Sequence, residues 1–453
     1  MGQLPIAIIL TVIVFVIVYY GLKIRTPKYL LINAAIITAP WFGGLWLGFI
    51  KMDLRLTHML VILAFFFSFS QNRSGKFKSG LITLIIVFTI AFIFWSTIAS
   101  AAAWEADLAL GGVFSFFLNF LFLITIVRVA NQPKDIENMI KSLTIGLFIT
   151  TFLCIIQYKY PTFSIGFIDR GFSTFLNWRP RSTFHHANQY GFYLMLTLPF
   201  VFRQIVMKYA VHDVKETRFY VLALLFGMFA LYSTSNRGSW IGLSVGLLVT
   251  VLLDFFRRIG PKMKQTLFRV LIGFTVLVLV ASVRYGGRVY ERMFTEEFNY
   301  SVQKESRKDL NEDAYKIIAE YPITGVGVWN FHHHSFQIIF THNLYLMIMS
   351  EIGYPGFVFF IIVCLGFLAE SLLAIFTKEY HVSNYGSALL ASLIGFSIAS
   401  IPGPDFWISN QVGAHLWIIA GLIIAMNSLY RLYRRSQRSV PQRRRENNSA
   451  ITE

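Results

Sequence analysis

The sequence predicts an all-α fold: a polytopic transmembrane helical bundle of about 12 to 13 spans with a partly helical long external loop. Three observations predict it. Of the 453 residues, 55% are hydrophobic and only 14% are charged, a mixture that an ordinary soluble domain cannot hide from water. The apolar residues gather in runs close to the roughly 20 residues that cross a bilayer as a helix. Lysine and arginine fall between alternate runs rather than at random.

The opening run, 4–22, has its basic residues after the apolar stretch and no small-residue cleavage site, so it reads as an uncleaved first span. Further spans are expected near 29–50, 56–70, 80–99, 107–129, 142–158 and 190–207. Six more are expected near 219–235, 239–256, 267–283, 344–376, 385–401 and 411–430. The run at 344–376 is long enough to bend at Gly353, Pro355 and Gly356. Residues 1–430 therefore form a single integral membrane domain, and residues 431–453 a basic cytoplasmic tail. Cys154 and Cys364 both lie inside apolar runs, which argues against a disulfide framework or a cysteine-based metal site.

Orientation follows from the retention of positive charge on the cytoplasmic side. Lys23, Arg25 and Lys28 mark one such loop, and Arg73, Lys76 and Lys78 mark the next. Arg128, Lys134 and Lys141, then Arg203, Lys208, Lys215 and Arg218, then "RRIGPKMKQTLFR" at 257–269 keep the alternation. The tail, "RLYRRSQRSVPQRRR", closes the series on the same side. The N-terminus is expected outside the cytoplasmic (inner) membrane and the C-terminus inside. The formal charge of +17 is thereby topological: it holds orientation and meets anionic membrane lipids, and no nucleic-acid site follows from it.

This arrangement leaves two long external loops, about 159–189 and 284–342. The second is nearly neutral, with seven Lys or Arg against eight Asp or Glu. The first carries Arg170, Arg179 and Arg181 against Asp169 alone. Its stretch "NWRPRSTFHHANQYGFYLM" crowds arginines, imidazoles and amides just before a span, and the short turn "YSTSNRGSW" carries Arg237. The long loop runs through "AYKIIAEYPITGVGVWNFHHHS" to end at "THN", His342 and Asn343 being its last polar residues. Three polar clusters, far apart in sequence, thus reach one membrane face. Within the long loop "QKESRKDLNEDAYKIIAEY" holds good helix formers, and Pro322, Gly325 and Gly327 stop them.

Each polar residue has a plain alternative. Arg179, Arg181, Arg284 and Arg288 can snorkel to phosphate headgroups. Arg237 differs, because its turn is too short to let the side chain wander. His332, His333 and His334 are consecutive, a spacing that does not aim three rings at one metal, so they read as solvated loop residues. Glu105 and Asp107 read as short-loop acids, and His58 and Glu370 as structural groups near span ends. No metal site and no cofactor are expected. His342 opposite two arginine clusters is more telling. Arginine grips phosphate by paired charge-assisted bonds, while neutral imidazole accepts a proton near pH 7. Together they suit attack by a hydroxyl on a carbon bonded to a phosphate leaving group.

The ordered motifs "RPRSTFHHANQYGFYLMLTLPF", "STSNRGSWIGLSVGLLV", "YPITGVGVWNF" and "THNLYLMIMSEIGYPGFVFF" resemble those of the O-antigen ligases and related polysaccharide polymerases. The resemblance covers about 140–430, with Ser182 where the family usually has Gly and Ala187 where Pro commonly precedes the Asn. It implies an inverting, metal-independent transfer of a glycan from a polyprenyl-diphosphate-linked donor to a glycan, lipid or protein acceptor on the extracytoplasmic face. In that reading Arg237 and one or both of Arg179 and Arg181 hold the diphosphate, His342 takes the acceptor's proton, and Asn188 and Asn343 orient neighbouring groups. The alternative is a transporter or flippase of lipid-linked oligosaccharide, which calls for ionisable groups near the bilayer midplane rather than at one rim.

Overall fold

The computed structural model describes residues 12–41, 44–47, 52–69, 77, 79–160, 179–256, 265, 297–335 and 340–449. The expected span at 267–283 lies outside these residues, as do Arg73, Lys76, Lys78, Asp169, Arg170, Arg284, Arg288 and almost all of 257–269.

The architecture is an all-α bundle, and nine of the described helices are long and apolar enough to cross a membrane. These are α3 (Gly80–Ser100), α4 (Ala106–Val129), α5 (Pro133–Lys159), α6 (Ala187–Ala210), α7 (Val214–Thr234), α8 (Arg237–Phe256), α11 (Leu344–Ile375), α12 (Tyr380–Ala399) and α14 (Asn410–Ser449). Shorter elements complete the chain. Helix α1 (Pro27–Thr38) is followed by a two-stranded antiparallel hairpin, β1 (Gly44–Leu47) with β2 (Met52–Arg55), and then by α2 (Leu56–Ser68). The long loop contributes α9 (Glu297–Glu320) and α10 (Phe331–His334), and α13 (Asp405–Ile408) bridges α12 and α14. The apolar stretch of α6 and that in the first half of α14 are buried on nearly every side, which places these two stretches at the centre of the bundle.

One expectation is corrected. The apolar run at 29–50 is not a single span: α1 ends at Thr38, just before Pro40, and the hairpin follows. Pro40 has no N–H to donate back to the helix, so the hydrogen-bonded run ends there although Ala39 keeps helical φ and ψ and hydropathy does not fall.

Two packing features position everything at the end of the bundle where α11 begins, here called the lip end. The first is a glycine seam between α8 and α12. Gly238, Gly242 and Gly246 recur at four-residue spacing on one stripe of α8. A methyl on Gly242 would strike the Gly395 carbonyl, and one on Gly246 would strike the Ala391 carbonyl. Small residues at this spacing let two backbones touch, which supplies the packing that lipid-facing helices cannot obtain from the hydrophobic effect. The second is a break in α11 at Gly353, whose φ of 67° only glycine adopts without strain. The break leaves carbonyls of the preceding turn without helical partners. Val326 N–H donates to Ser350 O at 3.0 Å, Gly327 N–H to Glu351 O at 2.8 Å, and the Trp95 indole to Ile352 O at 2.9 Å. The segment after α9 is thereby bound into the bundle rather than left above it.

The opposite end is held by ion pairs. Arg203 on α6 meets Asp254 on α8, both buried, and Lys208 meets Glu137. Lys141 pairs with Glu216 at 2.7 Å, and Glu370 of α11 takes Arg431 at 3.2 Å and the Asn427 amide at 2.6 Å, both from α14.

Gly246→Ala tests the seam. The added methyl is expected to force α8 from α12 and lower stability by about 1 to 3 kcal/mol, read as a fall in the thermal unfolding temperature of the detergent-solubilised protein.

Candidate functional site

The site is built from the ends of helices that meet at the lip end. Ahead of α6 the chain makes a turn at Ser182, where φ is +52°. A non-glycine residue held there costs of order 1 kcal/mol, so the surroundings must fix it, and they do. The Gln157 side chain accepts from Ser182 N–H at 2.7 Å and donates to Ser182 O at 3.0 Å, while Ser182 Oγ donates to Thr150 O at 2.6 Å. Next to it Thr183 Oγ1 donates to Pro40 O at 2.6 Å, and Gln411 of α14 donates to both Pro40 O and Thr183 O. The position at which Ser replaces a family glycine is thus a left-handed turn.

That turn aims Arg179 at the α7–α8 hairpin. Its Nε donates to Thr234 O and its Nη2 to Asn188 Oδ1, each at 2.6 Å. Asn236 links the same groups. Its amide donates to Asn188 O at 2.9 Å, and its oxygen caps α8 by accepting from Ser239 N–H at 3.2 Å. Gly191 allows this contact, since a methyl there would fall 2.9 Å from the Asn236 side chain. Arg237, half-buried, is the first residue of α8. Arg181 turns back into its own loop, donating to His185 O at 2.8 Å. Arg179 is bonded directly to the hairpin that carries Arg237. The pair still acts jointly on His186, whose imidazole is held below its usual range by burial and by both guanidinium groups.

The turn after α12 is the common neighbour. Gly238 approaches Pro402 and Ala399, with 3.2 and 3.6 Å to the place a methyl would occupy. Asp405, buried at the start of α13, is pushed up to about 7 by burial, and the Arg179 charge works against that rise. From the other side the lip of α11 binds this turn, Leu344 N–H donating to Ser400 O at 3.0 Å.

His342 stands at that lip, half-buried, between two anchored residues. Thr341 Oγ1 donates to Asn311 Oδ1 of α9 at 2.9 Å. Asn343 caps α11, its Oδ1 accepting from Tyr345 N–H at 2.9 Å and Leu346 N–H at 3.2 Å. Burial first, and then the Arg307 guanidinium, hold the His342 imidazole below its ordinary range, so it is neutral at pH 7 and able to accept a proton. The geometry thus joins Arg179, Asn188 and the Arg237 hairpin by direct bonds, and joins His342 to them through the 399–405 turn. The charge that bears on His342 is that of Arg307.

Three functional candidates escaped the sequence reading. Arg307 and Asn311 lie in a segment that the sequence marked only by its good helix formers, and only tertiary packing turns them toward residues 341 and 342. Asp405 is a lone acid in the turn "PGPD", for which composition offers no signal. The histidine run is also corrected. His332 and His333 are half-buried rather than solvated, and His333 Nε2 lies 3.1 Å from Glu105 Oε1, a carboxylate more than two hundred residues away in sequence.

Fold and site together define a multi-pass membrane protein with a cationic, imidazole-bearing cluster at one end of its bundle. Residues 221–361 match the family model described as O-antigen ligase, a stretch that contains both Arg237 and His342. The match covers 141 of the 453 residues and supports assignment of the chain to the O-antigen ligase and polymerase family. No curated protein matches the chain.

Asn236→Ala removes both the α8 cap and the bond to Asn188. It is expected to cost about 1 kcal/mol of stability, read by thermal unfolding, with a larger proportional fall in glycan transfer because the Arg237 turn loses its shape.

Proposed function

We propose that the protein transfers a glycan from a polyprenyl-diphosphate donor to an acceptor hydroxyl on the extracytoplasmic face of the cytoplasmic membrane, with inversion and with no metal ion in the step. The observation that carries this reading is the shared 399–405 turn, which touches the Arg237 hairpin through Gly238 and the His342 lip through Leu344.

In the step, the acceptor oxygen forms a bond to the anomeric carbon as the bond from that carbon to the diphosphate oxygen breaks. The acceptor's proton passes to His342. The electron pair leaves with the diphosphate, whose charge grows as the bond opens. Arg237 and Arg179 meet that charge, and Arg181 adds to the field of the loop; fixed guanidinium groups need no reorganisation when the charge develops. Single displacement from the face opposite the leaving group gives inversion. Asn188 fixes Arg179 by accepting its Nη2, and Asn343 fixes His342 by starting α11 immediately after it. The prenyl tail stays among the spans, and its diphosphate emerges at the rim.

Three substitutions test the assignments. His342→Ala is expected to lower turnover by about 10²- to 10⁴-fold, and Arg237→Ala or Arg179→Ala to raise the barrier by about 2 to 4 kcal/mol, measured with purified protein and extracted lipid-linked donor. Unchanged turnover in His342→Ala would remove that residue from the mechanism. Formation of a new glycosidic bond by detergent-purified protein separates this reading from transport, which makes none. A ladder of product lengths marks a polymerase, and a single shifted product a ligase.

The pH profile supplies a further test. A base must be deprotonated to act, so activity rises with pH through the His342 pKa, which lies below the ordinary histidine value. Arg307→Ala removes a charge that disfavours the imidazolium and is expected to move the acid limb of turnover to higher pH. A profile that stays in place would show that Arg307 does not act on the base.

A further inference from the structure

A run of rings extends from His342 along the lip end, away from the arginine hairpin in chain connectivity. Trp104, in the turn between α3 and α4, is 78% exposed and stacks on His333 with ring centres 6.4 Å apart and planes 30° apart. His333 and His332 follow at 4.0 Å, and His332 and Phe340 at 5.3 Å. Phe340 is two residues before His342. Glu105 brings a half-exposed carboxylate to the same row, 3.1 Å from His333.

The row is built, not a chance meeting of loop side chains. Asn330 accepts from Glu105 N–H at 2.8 Å and donates to Glu105 O at 3.3 Å, while Val328 N–H donates to Ser100 Oγ at 3.3 Å. The turn carrying Trp104 is therefore stapled to the segment carrying the histidines. An exposed tryptophan at a span end is often an interface anchor that rests in lipid headgroups. An anchor has no use for a stacked imidazole and a neighbouring carboxylate. Those groups suit a pyranose chain, whose C–H faces lie on aromatic faces and whose hydroxyls bond to imidazole and carboxylate. Burial and the adjacent His333 keep His332 below its usual range, so at neutral pH its ring is uncharged, as stacking on an uncharged sugar requires.

We propose that Trp104, His333, His332 and Phe340, with Glu105 beside them, form a glycan-binding track that holds the pyranose rings of the acceptor while its reactive hydroxyl reaches His342. The track rests on the transfer reaction proposed above and assigns its acceptor side. The donor's diphosphate lies on the arginine side of His342 and the acceptor's sugars on the aromatic side.

The test uses the full chain in nanodiscs, lipid-linked donor extracted from membranes of the source cells, and, as acceptor, the oligosaccharide pool released from those membranes by mild acid. Trp104→Ala is expected to raise the acceptor concentration for half-maximal transfer about tenfold, with the donor value unchanged. Trp104→Tyr, which keeps a flat aromatic face, should retain most of the affinity. Trp104→Leu keeps only apolar bulk and should behave like Ala. A Leu variant equal to the parent, or an equal rise for donor and acceptor, would overturn the track. Saturation-transfer NMR of the same pool on His342→Ala protein needs no turnover: signals should persist there and vanish when Trp104→Ala is added. Transfer that survives His342→Ala defeats the base assignment, whereas NMR signals indifferent to Trp104 defeat the track and leave the transfer reading standing.

Discussion

The seam between α8 and α12 is the constraint on which the site depends. Arg237 opens α8, and the turn that Leu344 binds closes α12, so the relation between Arg237 and the His342 lip is set by how closely two backbones approach. Three glycines at four-residue spacing bring Gly242 and Gly246 into contact with main-chain carbonyls of the facing helix. At that distance there is no side-chain layer to compress or slide. Position along the seam is fixed by backbone against backbone, which is stiffer than any packing of rotatable side chains.

A second constraint comes from the bilayer. A helix broken inside a membrane exposes carbonyls that hydrocarbon cannot satisfy, each at a cost of several kcal/mol. The break at Gly353 is tolerated because the segment after α9 supplies the missing donors. The carboxylate of Glu351 then accepts from Trp329 N–H at 2.7 Å, from Phe331 N–H at 3.1 Å and from the Trp407 indole. A buried carboxylate with three donors is a structural joint. It ties the α11 break to α10, which carries the histidine row, and to α13, which carries Asp405. Loop and bundle are in this way one body at the lip end.

Much of this was legible in the sequence, and the parts that were not share a cause. The helical class, the bend at Gly353 and the helix ending near Pro322 could be read because periodicity and backbone-restricting residues act locally. The convergence of three polar clusters on one end followed from span alternation. The end of α1 at Thr38 and the hairpin beyond it were missed because an apolar run hides Pro40 from a hydropathy count. Arg307, Asp405 and the Glu105–His333 contact were illegible because each acquires meaning only from a neighbour far away in the chain. Ser182 lies between these cases. Its departure from glycine is visible in the sequence, but the left-handed turn, and the Gln157 bonds that sustain a side chain there, are visible only in the fold.

Helix α14 spans 40 residues, from Asn410 to Ser449. At about 1.5 Å per residue such a rod is roughly 60 Å long, twice the hydrocarbon thickness of a bilayer. Its first turn, through Gln411, clasps the Ser182–Thr183 corner, and Arg431, some twenty residues further on, clamps it to Glu370. One helix thus touches both ends of the bundle, so the ion-paired end and the corner beside Arg179 cannot shift independently along it.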